Sequence, residues 1–376
     1  MNPFIYGGII EEKALCNREK EYQDILNTIE SGVNLFLYSE RRQGKTSLIK
    51  KVISNLDRNK YQPIYVDLSG TDDIQEFISS YVKNITKDIK GGIDKIIEFS
   101  KSIFGRLRPK ISFESDGLPT ISIELSDASV IDDTLEDVLN SVVKLSKRHK
   151  KRVVVVFDEF QQVLEYPSDK IIRIMRAVIQ NHINTPYIFL GSRKHLMQKL
   201  YDSPSKPFYK AGKHYPLMSI SKSDWTPYIE ERFRAGNRII SRENIDKILE
   251  LTDCHPYHTQ HLCHEIWEVS SNNKIINDDI IDKALETVLS RESGVYTTRW
   301  LSLTYNQKKV LKFLSKHIIS DNPFSYDTLQ EIGLKGTASL NRVYISLLEK
   351  DILDRSIEGK LYIQDRFFKI WIKRLS

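Results

Sequence analysis

The sequence Gly44-Lys45-Thr46 predicts a loop that binds phosphate groups. The apolar residues before it have the composition of a short strand, and the residues after it have that of a helix. Backbone N–H groups at a helix N-terminus, a lysine ammonium group and a threonine hydroxyl are the groups that bind a triphosphate and its metal ion. Ser39 stands where the first glycine of the GxxxxGK[ST] pattern is expected, and because serine is small we expect the loop to tolerate it. The predicted nucleotide contacts in this loop are Arg42, Gln43, Gly44, Lys45, Thr46 and Ser47.

Two acidic residues follow directly on an unbroken apolar run, VVVVF, at residues 153–157. Such a run is typical of a parallel strand buried on both faces, and ligands bind at the carboxyl ends of such strands. This is a Walker B pattern. We expect Asp158 to hold Mg²⁺ together with Thr46, and Glu159 to polarise the water that attacks the γ-phosphate. The two motifs together predict an α/β fold with a nucleotide-hydrolysing site at one edge of a parallel sheet.

A third strand is predicted at residues 187–190, and polar residues follow it. Ser192 is a candidate for a side chain that reaches between the metal ion and the γ-phosphate. Arg193 is a candidate for contact with the γ-phosphate or with a neighbouring subunit. A Gly-Ser turn and a surface arginine are the alternative interpretation, since such turns are common after strands.

The bulk composition indicates two or three globular domains in a chain of 376 residues. The three cysteines, Cys16, Cys254 and Cys263, are scattered along the chain, which favours a reducing compartment over a disulfide framework. No segment has the pattern of a signal peptide or of a bilayer-spanning helix. We therefore expect a cytoplasmic protein with no membrane partner.

The pattern of apolar residues divides the chain into three predicted domains. Residues 1–215 form the nucleotide-binding core, with a β-hairpin inserted at about residues 105–127. Residues 216–298 have helical spacing, continuous to about residue 289, and predict an all-helical lid. Residues 299–376 predict a winged helix-turn-helix, with helices at residues 306–316, 325–332 and 337–350 and then two short strands around Glu358-Gly359.

The predicted winged helix carries the whole positive excess of the chain. The net charge is +6, and residues 299–376 contain 14 Lys and Arg against 8 Asp and Glu. This favours an acidic partner, nucleic acid first, although an excess of six is also ordinary for solubility. The residues expected to face a DNA groove are Lys335, Thr337, Ser339, Asn341 and Arg342. Because few of these are basic, protein contact is an equal alternative to DNA binding.

A cluster of histidines and cysteines in the predicted lid raises the alternative of a zinc site. Its members are Cys254, His255, His258, His261, Cys263 and His264. No CxxC pair accompanies them, and Pro256 marks a helix start from which most of these side chains point in different directions. We therefore favour core or surface histidines over metal ligands.

The chain resembles the archaeal-type ATPase family in several segments: NPFIYG, CNREKEYQDIL, LYSERRQGKTSLI, VVVVFDEFQ, FLGSRKHLM, SKPFY, CHPYHTQHL and DRFFKIWIKR. That family belongs with the STAND and AAA+ relatives among P-loop NTPases. The resemblance implies an AAA+-like parallel-sheet core, a helical lid, a C-terminal winged helix, and ATP as the nucleotide. It also implies nucleotide contacts by residues outside the loop: Phe4, Tyr6, Arg18, Glu19 and Pro256. The chain departs from the family pattern where Asn17, Ser39 and Cys254 replace glycines.

These observations lead to two hypotheses about function. The first is a Mg²⁺-dependent ATPase that works as a conformational switch and acts on DNA through its winged helix. The second is an ATP-dependent regulatory scaffold whose winged helix binds a protein client. A binder of ATP and ADP that does not hydrolyse is disfavoured by Glu159. The sequence leaves the client, the nucleoside preference and the oligomeric state open.

Overall fold

The computed structural model describes residues 2–8, 16–87, 98–99, 102–104, 109–113, 119–123, 131–270, 274–317, 325–334, 336–356 and 359–375. The chain divides into two compact units. The first, here called the sheet unit, comprises Arg18–Arg41 and Lys45–Leu217. The second, the helical unit, comprises Met1–Asn17, Arg42–Gly44 and Met218–Ser376. Lys335 and the predicted wing tip at residue 358 lie outside the described residues.

The sheet unit is built on a sheet of five parallel strands. The strands of the unit in chain order are β1 (Leu35–Tyr38), β2 (Tyr61–Asp67), β3 (Pro109–Phe113), β4 (Pro119–Ile123), β5 (Arg152–Asp158), β6 (Tyr187–Gly191) and β7 (Lys213–Pro216). The parallel sheet has the order β2-β5-β6-β1-β7, and β3 and β4 form a separate antiparallel pair. This order places β6 between the strand before the phosphate loop and the strand before Asp158. The parallel α/β core is thus as predicted, and β3 and β4 lie where the inserted hairpin was expected.

Helices cover both faces of this sheet. They are α1 (Glu19–Glu30), α2 (Lys45–Ser54), α3 (Ile74–Thr86), α4 (Ile131–His149), α5 (Lys170–Ile179) and α6 (Lys194–Lys199), with a 3-10 helix at Phe160–Leu164. Alternate residues of β5 enter two separate apolar clusters: Val154 and Val156 join one, and Val155 and Phe157 join the other. A strand buried on both faces requires this uninterrupted apolar sequence.

The helical unit contains the predicted lid and winged helix. Its elements are α7 (Lys222–Ala235), β8 (Ile239–Ile240), α8 (Arg242–Thr252), α9 (Pro256–Val269), β9 (Ile275–Ile276), α10 (Asp278–Leu301), α11 (Tyr305–Lys316), α12 (Tyr326–Ile332), α13 (Thr337–Glu349), β10 (Leu353–Arg355), β11 (Leu361–Ile363) and α14 (Arg366–Arg374). One apolar cluster extends through all of it, from Phe4 to Ile372. The three helices and the antiparallel β10–β11 pair confirm the winged-helix prediction.

The structure corrects the sequence prediction in the lid. The lid is not all-helical, because Ile239–Ile240 and Ile275–Ile276 form a short parallel pair. Helix α10 also continues to Leu301, beyond residue 289, so the predicted domain boundary at residues 298 and 299 lies inside one helix. Gly294 and the nearby serine and threonine residues weaken intrinsic helix propensity there, and packing against α14 outweighs it.

Two adjacent residues in the C-terminal half of α10, Val295 and Tyr296, should differ in how much they contribute to stability. Tyr296 is 2% exposed, with its ring centroid 5.2 Å from that of Phe368 and 6.1 Å from that of Trp371, whereas Val295 is 56% exposed. We expect Tyr296→Ala to lower the free energy of unfolding by about 3 kcal/mol, through loss of buried contacts. Val295→Ala should change it by less than about 0.5 kcal/mol. Urea unfolding followed by tryptophan fluorescence checks both, and equal effects would contradict this packing.

Candidate functional site

The phosphate loop holds its lysine inside the sheet unit. Lys45 is the first residue of α2 and is 5% exposed. Its Nζ donates to Ser39 Oγ at 3.1 Å and to the Glu40 carbonyl oxygen at 3.0 Å. Burial lowers the pKa of Lys45, and the negative charges of Glu159 and Asp158 act in the opposite direction. The replacement of glycine by Ser39 therefore supplies a hydroxyl that binds the lysine.

The backbone of the loop explains why glycine is needed at only one of the two glycine positions of the pattern. Gly44 has φ +88°, and a Cβ added there would meet nothing within 4 Å, so the requirement is conformational rather than steric. Ser39 lies outside the left-handed region, so its backbone conformation does not require glycine. Arg42 does adopt a left-handed conformation, with φ 61°.

Asp158 is the most constrained group of the site. It is 3% exposed at the end of β5, and its Oδ2 accepts hydrogen bonds from Thr46 Oγ1 at 2.8 Å and from the Tyr65 hydroxyl at 2.5 Å. Its Oδ1 accepts the backbone N–H of Glu159 at 2.9 Å. Burial raises the pKa of Asp158, and the hydrogen bonds from Tyr65 and Thr46 lower it.

The donor set at this position fits a hard divalent cation. A carboxylate and a hydroxyl, from Asp158 and Thr46, lie within hydrogen-bond distance of each other. Mg²⁺ is bound in proteins by a few oxygen ligands of this kind, together with water and phosphate oxygens. The two predicted metal ligands are thus brought together, and the Tyr65 hydroxyl is a third group that sequence reasoning missed.

Glu159 occupies a strained position beside Asp158. Its backbone is left-handed, with φ 53° and ψ 40°, which is uncommon for a residue other than glycine. Its Oε2 accepts a hydrogen bond from Ser192 Oγ at 2.6 Å and another from the side-chain amide of Gln161. The structure therefore brings the predicted catalytic carboxylate of Glu159 and the predicted sensor, Ser192, together. Gln161 was not predicted, and its signal in the sequence is only that it follows Glu159 by two residues.

Gly191 allows β6 to approach this group of side chains. A Cβ at Gly191 would lie 2.2 Å from Met197 Cγ and 2.9 Å from Gln161 Oε1. The backbone N–H of Ser192 donates to the same Gln161 oxygen at 3.3 Å. The absence of a side chain at residue 191 is thus what places Ser192 beside Gln161 and Glu159.

The remaining predicted residues of the sheet unit have partners of their own. Arg193 forms an ion pair with Glu165, and Arg18 forms one with Glu21 at 2.6 Å. Ser47 is buried in α2. Glu19 is exposed at the start of α1, where it accepts a hydrogen bond from Gln23 at 3.0 Å and lies 3.5 Å from the Lys51 ammonium group. Contacts of these residues with a nucleotide stay predictions.

The helical unit contains the other predicted nucleotide contacts. The ring of Phe4 is buried against Phe233, with centroids 4.8 Å apart. Tyr6 stacks on His261 with centroids 4.0 Å apart, and Pro256 is the buried first residue of α9.

Two residues of the phosphate loop also make contacts within the helical unit. The Arg42 guanidinium lies 4.3 Å from the Tyr257 ring centroid. Gln43 Nε2 donates to Ser219 Oγ at 3.2 Å.

The histidines of α9 are occupied by hydrogen bonds and ring contacts within this unit. His258 Nδ1 lies 3.1 Å from His255 Nδ1, and His258 Nε2 accepts the backbone N–H of Arg366 at 3.3 Å. Burial lowers the pKa of His258 and, together with the charge of neighbouring histidines, lowers that of His261 to about 4. Among the residues that the structure describes, no group of three or more His, Cys, Asp or Glu side chains is arranged to hold a metal ion.

Comparison with known families identifies the chain. A family model described as an ATPase domain predominantly from Archaea matches residues 15–262. The chain belongs to this family of archaeal ATPases. A second model, described as a probable winged helix domain, matches residues 294–374. The resemblance inferred from the sequence segments, the P-loop fold and the winged helix are thereby confirmed.

Related proteins support the same assignment. Two uncharacterized ATP-binding proteins of Methanocaldococcus jannaschii are 28% identical over 154 residues and 26% identical over 167 residues. The matches cover 39% and 41% of this chain and 40% and 45% of the relatives, so the chain spans less than half the length of the curated relatives it matches.

Solved structures share the fold over the full length. A Walker-type ATPase of Pyrococcus abyssi superposes with a TM-score of 0.65 at 16% identity, covering 99% of both chains. The ORC2 protein of Aeropyrum pernix, in ADPNP–ADP complexes, superposes with a TM-score of 0.53 at 13% identity, covering 100% of this chain and 98% of that one. In the described part of this chain, none of the helices has the length and apolar character needed to cross a membrane.

The close approach at Gly191 predicts a specific loss on substitution. Gly191→Ala should force Met197 and Gln161 to shift and should lower the free energy of unfolding by about 1 to 3 kcal/mol, with reduced nucleotide turnover. Gly70→Ala is the matched control, because a Cβ at Gly70 meets nothing within 4 Å. Chemical denaturation and turnover assays on both variants check this, and equal behaviour of the two would contradict it.

Proposed function

We propose that this P-loop ATPase binds Mg²⁺ with ATP and hydrolyses ATP as a conformational switch. The observation that carries the proposal is the position of five residues at or just after the carboxyl ends of three adjacent parallel strands. They are Lys45, Thr46, Asp158, Glu159 and Ser192. A binder without hydrolysis would need Lys45 and Thr46 but not a second acid held in a strained conformation.

The proposed roles follow from the chemistry of each side chain. Lys45, now bound to Ser39 and to the Glu40 carbonyl, would move its ammonium group to the β- and γ-phosphates. Thr46 and Asp158 would hold Mg²⁺, which when bound neutralises charge on the phosphates. Glu159 would accept a proton from the attacking water while its carboxylate is oriented through Oε2 by Ser192.

The proposed activity predicts that two substitutions differ in their effect on nucleotide binding. Lys45→Ala should abolish binding of a fluorescent ATP analogue, because it removes the ammonium group that would contact the β- and γ-phosphates. Glu159→Gln should retain binding but lower turnover at least about 100-fold, since an amide cannot accept the proton. Lys20→Ala, exposed on α1, is the control. Turnover by Glu159→Gln at the wild-type rate would contradict the proposal.

We further propose that the winged helix acts on DNA. The support is the charge excess of residues 299–376 and the exposed face of α13, which presents Thr337, Asn341 and Arg342. Ser339 is half-buried in that helix and contributes less than expected from the sequence. A helix with polar and basic side chains on one exposed face is the element that a winged helix inserts in the major groove.

Protein contact is the second candidate function for this domain. The exposed face of α13 also carries Ile345, which is 44% exposed. Tyr305 and Tyr326, at the starts of α11 and α12, are 72% and 73% exposed. Exposed apolar and aromatic side chains favour a protein partner more than a phosphate backbone.

The two candidates predict different responses to salt. If DNA is the partner, the affinity for a double-stranded oligonucleotide should fall on the order of tenfold or more between 50 and 200 mM salt, because counterions are released on binding. Arg342→Ala should weaken it further by about fivefold or more. Arg234→Ala, exposed on α7 outside the winged helix, is the control. Fluorescence anisotropy measures both. Salt-independent binding, or no effect of Arg342→Ala, would favour the protein partner.

A further inference from the structure

We propose that Tyr65 is a positioning residue for the divalent cation, acting through its hydrogen bond to Asp158. The inference rests on the proposed function of this site. It assigns a role in cation binding to a residue of β2, a strand that carries none of the predicted site residues.

The register of the sheet explains how Tyr65 reaches Asp158. Tyr65 is the Cα partner of Val156 on β5, and Asp67 is the partner of Asp158. Val156 and Asp158 lie on the same face of the sheet because side chains alternate along a strand. Tyr65 and Asp158 are therefore diagonal neighbours, with Cα atoms about 8 Å apart, a distance that the two side chains together can span. A shorter polar residue at position 65 would not reach.

The ring and the hydroxyl of Tyr65 have separable roles. The ring packs against the apolar cluster that contains Leu48, Val154 and Val156, which phenylalanine would do equally well. The hydroxyl donates to Asp158 Oδ2 at 2.5 Å, beside the hydrogen bond from Thr46. A hydrogen bond to an ionised carboxylate is stronger than one between neutral groups. The hydroxyl thus fixes the rotamer of Asp158 and stabilises the negative charge of its carboxylate.

This geometry gives the hydroxyl a consequence for cation binding. Asp158 Oδ2 accepts hydrogen bonds from two side chains, Thr46 and Tyr65, which come from different elements. Without Tyr65, Thr46 is left as the side-chain donor to Oδ2 among the contacts that the described residues make. The carboxylate then gains rotational freedom that must be lost again when the cation binds. Groups that orient a metal ligand from behind typically change metal affinity by about 10- to 100-fold.

The test is Tyr65→Phe, with Tyr61→Phe as the matched control. Tyr61 lies four residues earlier on the same strand and packs against the same apolar cluster. The first readout is Mn²⁺ affinity in the presence of ADP, measured by electron paramagnetic resonance. The second is the affinity for a fluorescent ADP analogue in EDTA. We expect Tyr65→Phe to weaken Mn²⁺ binding about tenfold while the affinity in EDTA changes less than about twofold. Tyr61→Phe should change neither.

A double-substitution cycle shows whether Tyr65 acts through Asp158. In an Asp158→Asn background, adding Tyr65→Phe should have no further effect on Mn²⁺ affinity, and this comparison also applies if Tyr65→Phe alone is less stable. The inference is overturned if Tyr65→Phe binds Mn²⁺ like wild type, if it weakens binding in EDTA equally, or if its effect persists in the Asp158→Asn background. A wild-type protein that binds no nucleotide would instead overturn the proposed function, and the inference with it.

Discussion

The buried carboxylate of Asp158 is the interaction on which the candidate site depends. A buried charge is costly unless hydrogen bonds compensate for it, and Asp158 accepts three, from Thr46, Tyr65 and the Glu159 backbone. Thr46 belongs to α2, Tyr65 belongs to β2, and Glu159 directly follows β5. The same carboxylate that would bind a cation therefore also ties the helix of the phosphate loop to an edge strand, so that the geometry of the loop and of the cation position are determined together.

The strained backbone conformation of Glu159 is the second constraint on the site, and contacts with neighbouring side chains stabilise it. A left-handed conformation costs a residue with a Cβ about 1 to 3 kcal/mol. Hydrogen bonds from Ser192 and Gln161 hold the Glu159 side chain in place. A Cβ at Gly191 would displace Gln161, so this arrangement requires glycine there. The polar edge of the sheet is thus stabilised by contacts between two segments, residues 159–161 and residues 191–192.

A structural feature could be predicted from the sequence when the interactions that cause it involve residues close together along the chain. The apolar run before Asp158 and the Gly-Lys-Thr loop identify their strand and helix, because burial and phosphate binding restrict the residues used. Strand β7 was missed since its sequence, KHYP, carries charge and proline, which an edge strand tolerates. Tyr65 was missed because its contact depends on strand register. The length of α10 could not be predicted because it depends on packing against α14, and the residues around Gly294 do not indicate that packing.

The departures from the family pattern show which features of the motifs are conformational. Cys254 replaces glycine in the lid motif yet keeps φ 53°, so the chain enters α9 as a glycine would allow, at the cost of strain. Helix α9 then places His258 where its Nε2 accepts the Arg366 backbone N–H, at the start of α14. That hydrogen bond requires an unprotonated nitrogen, and burial keeps the pKa of His258 low. This hydrogen bond joins α9 directly to α14, the last helix of the winged helix. A displacement of α9 within the helical unit must therefore either move α14 or break the hydrogen bond.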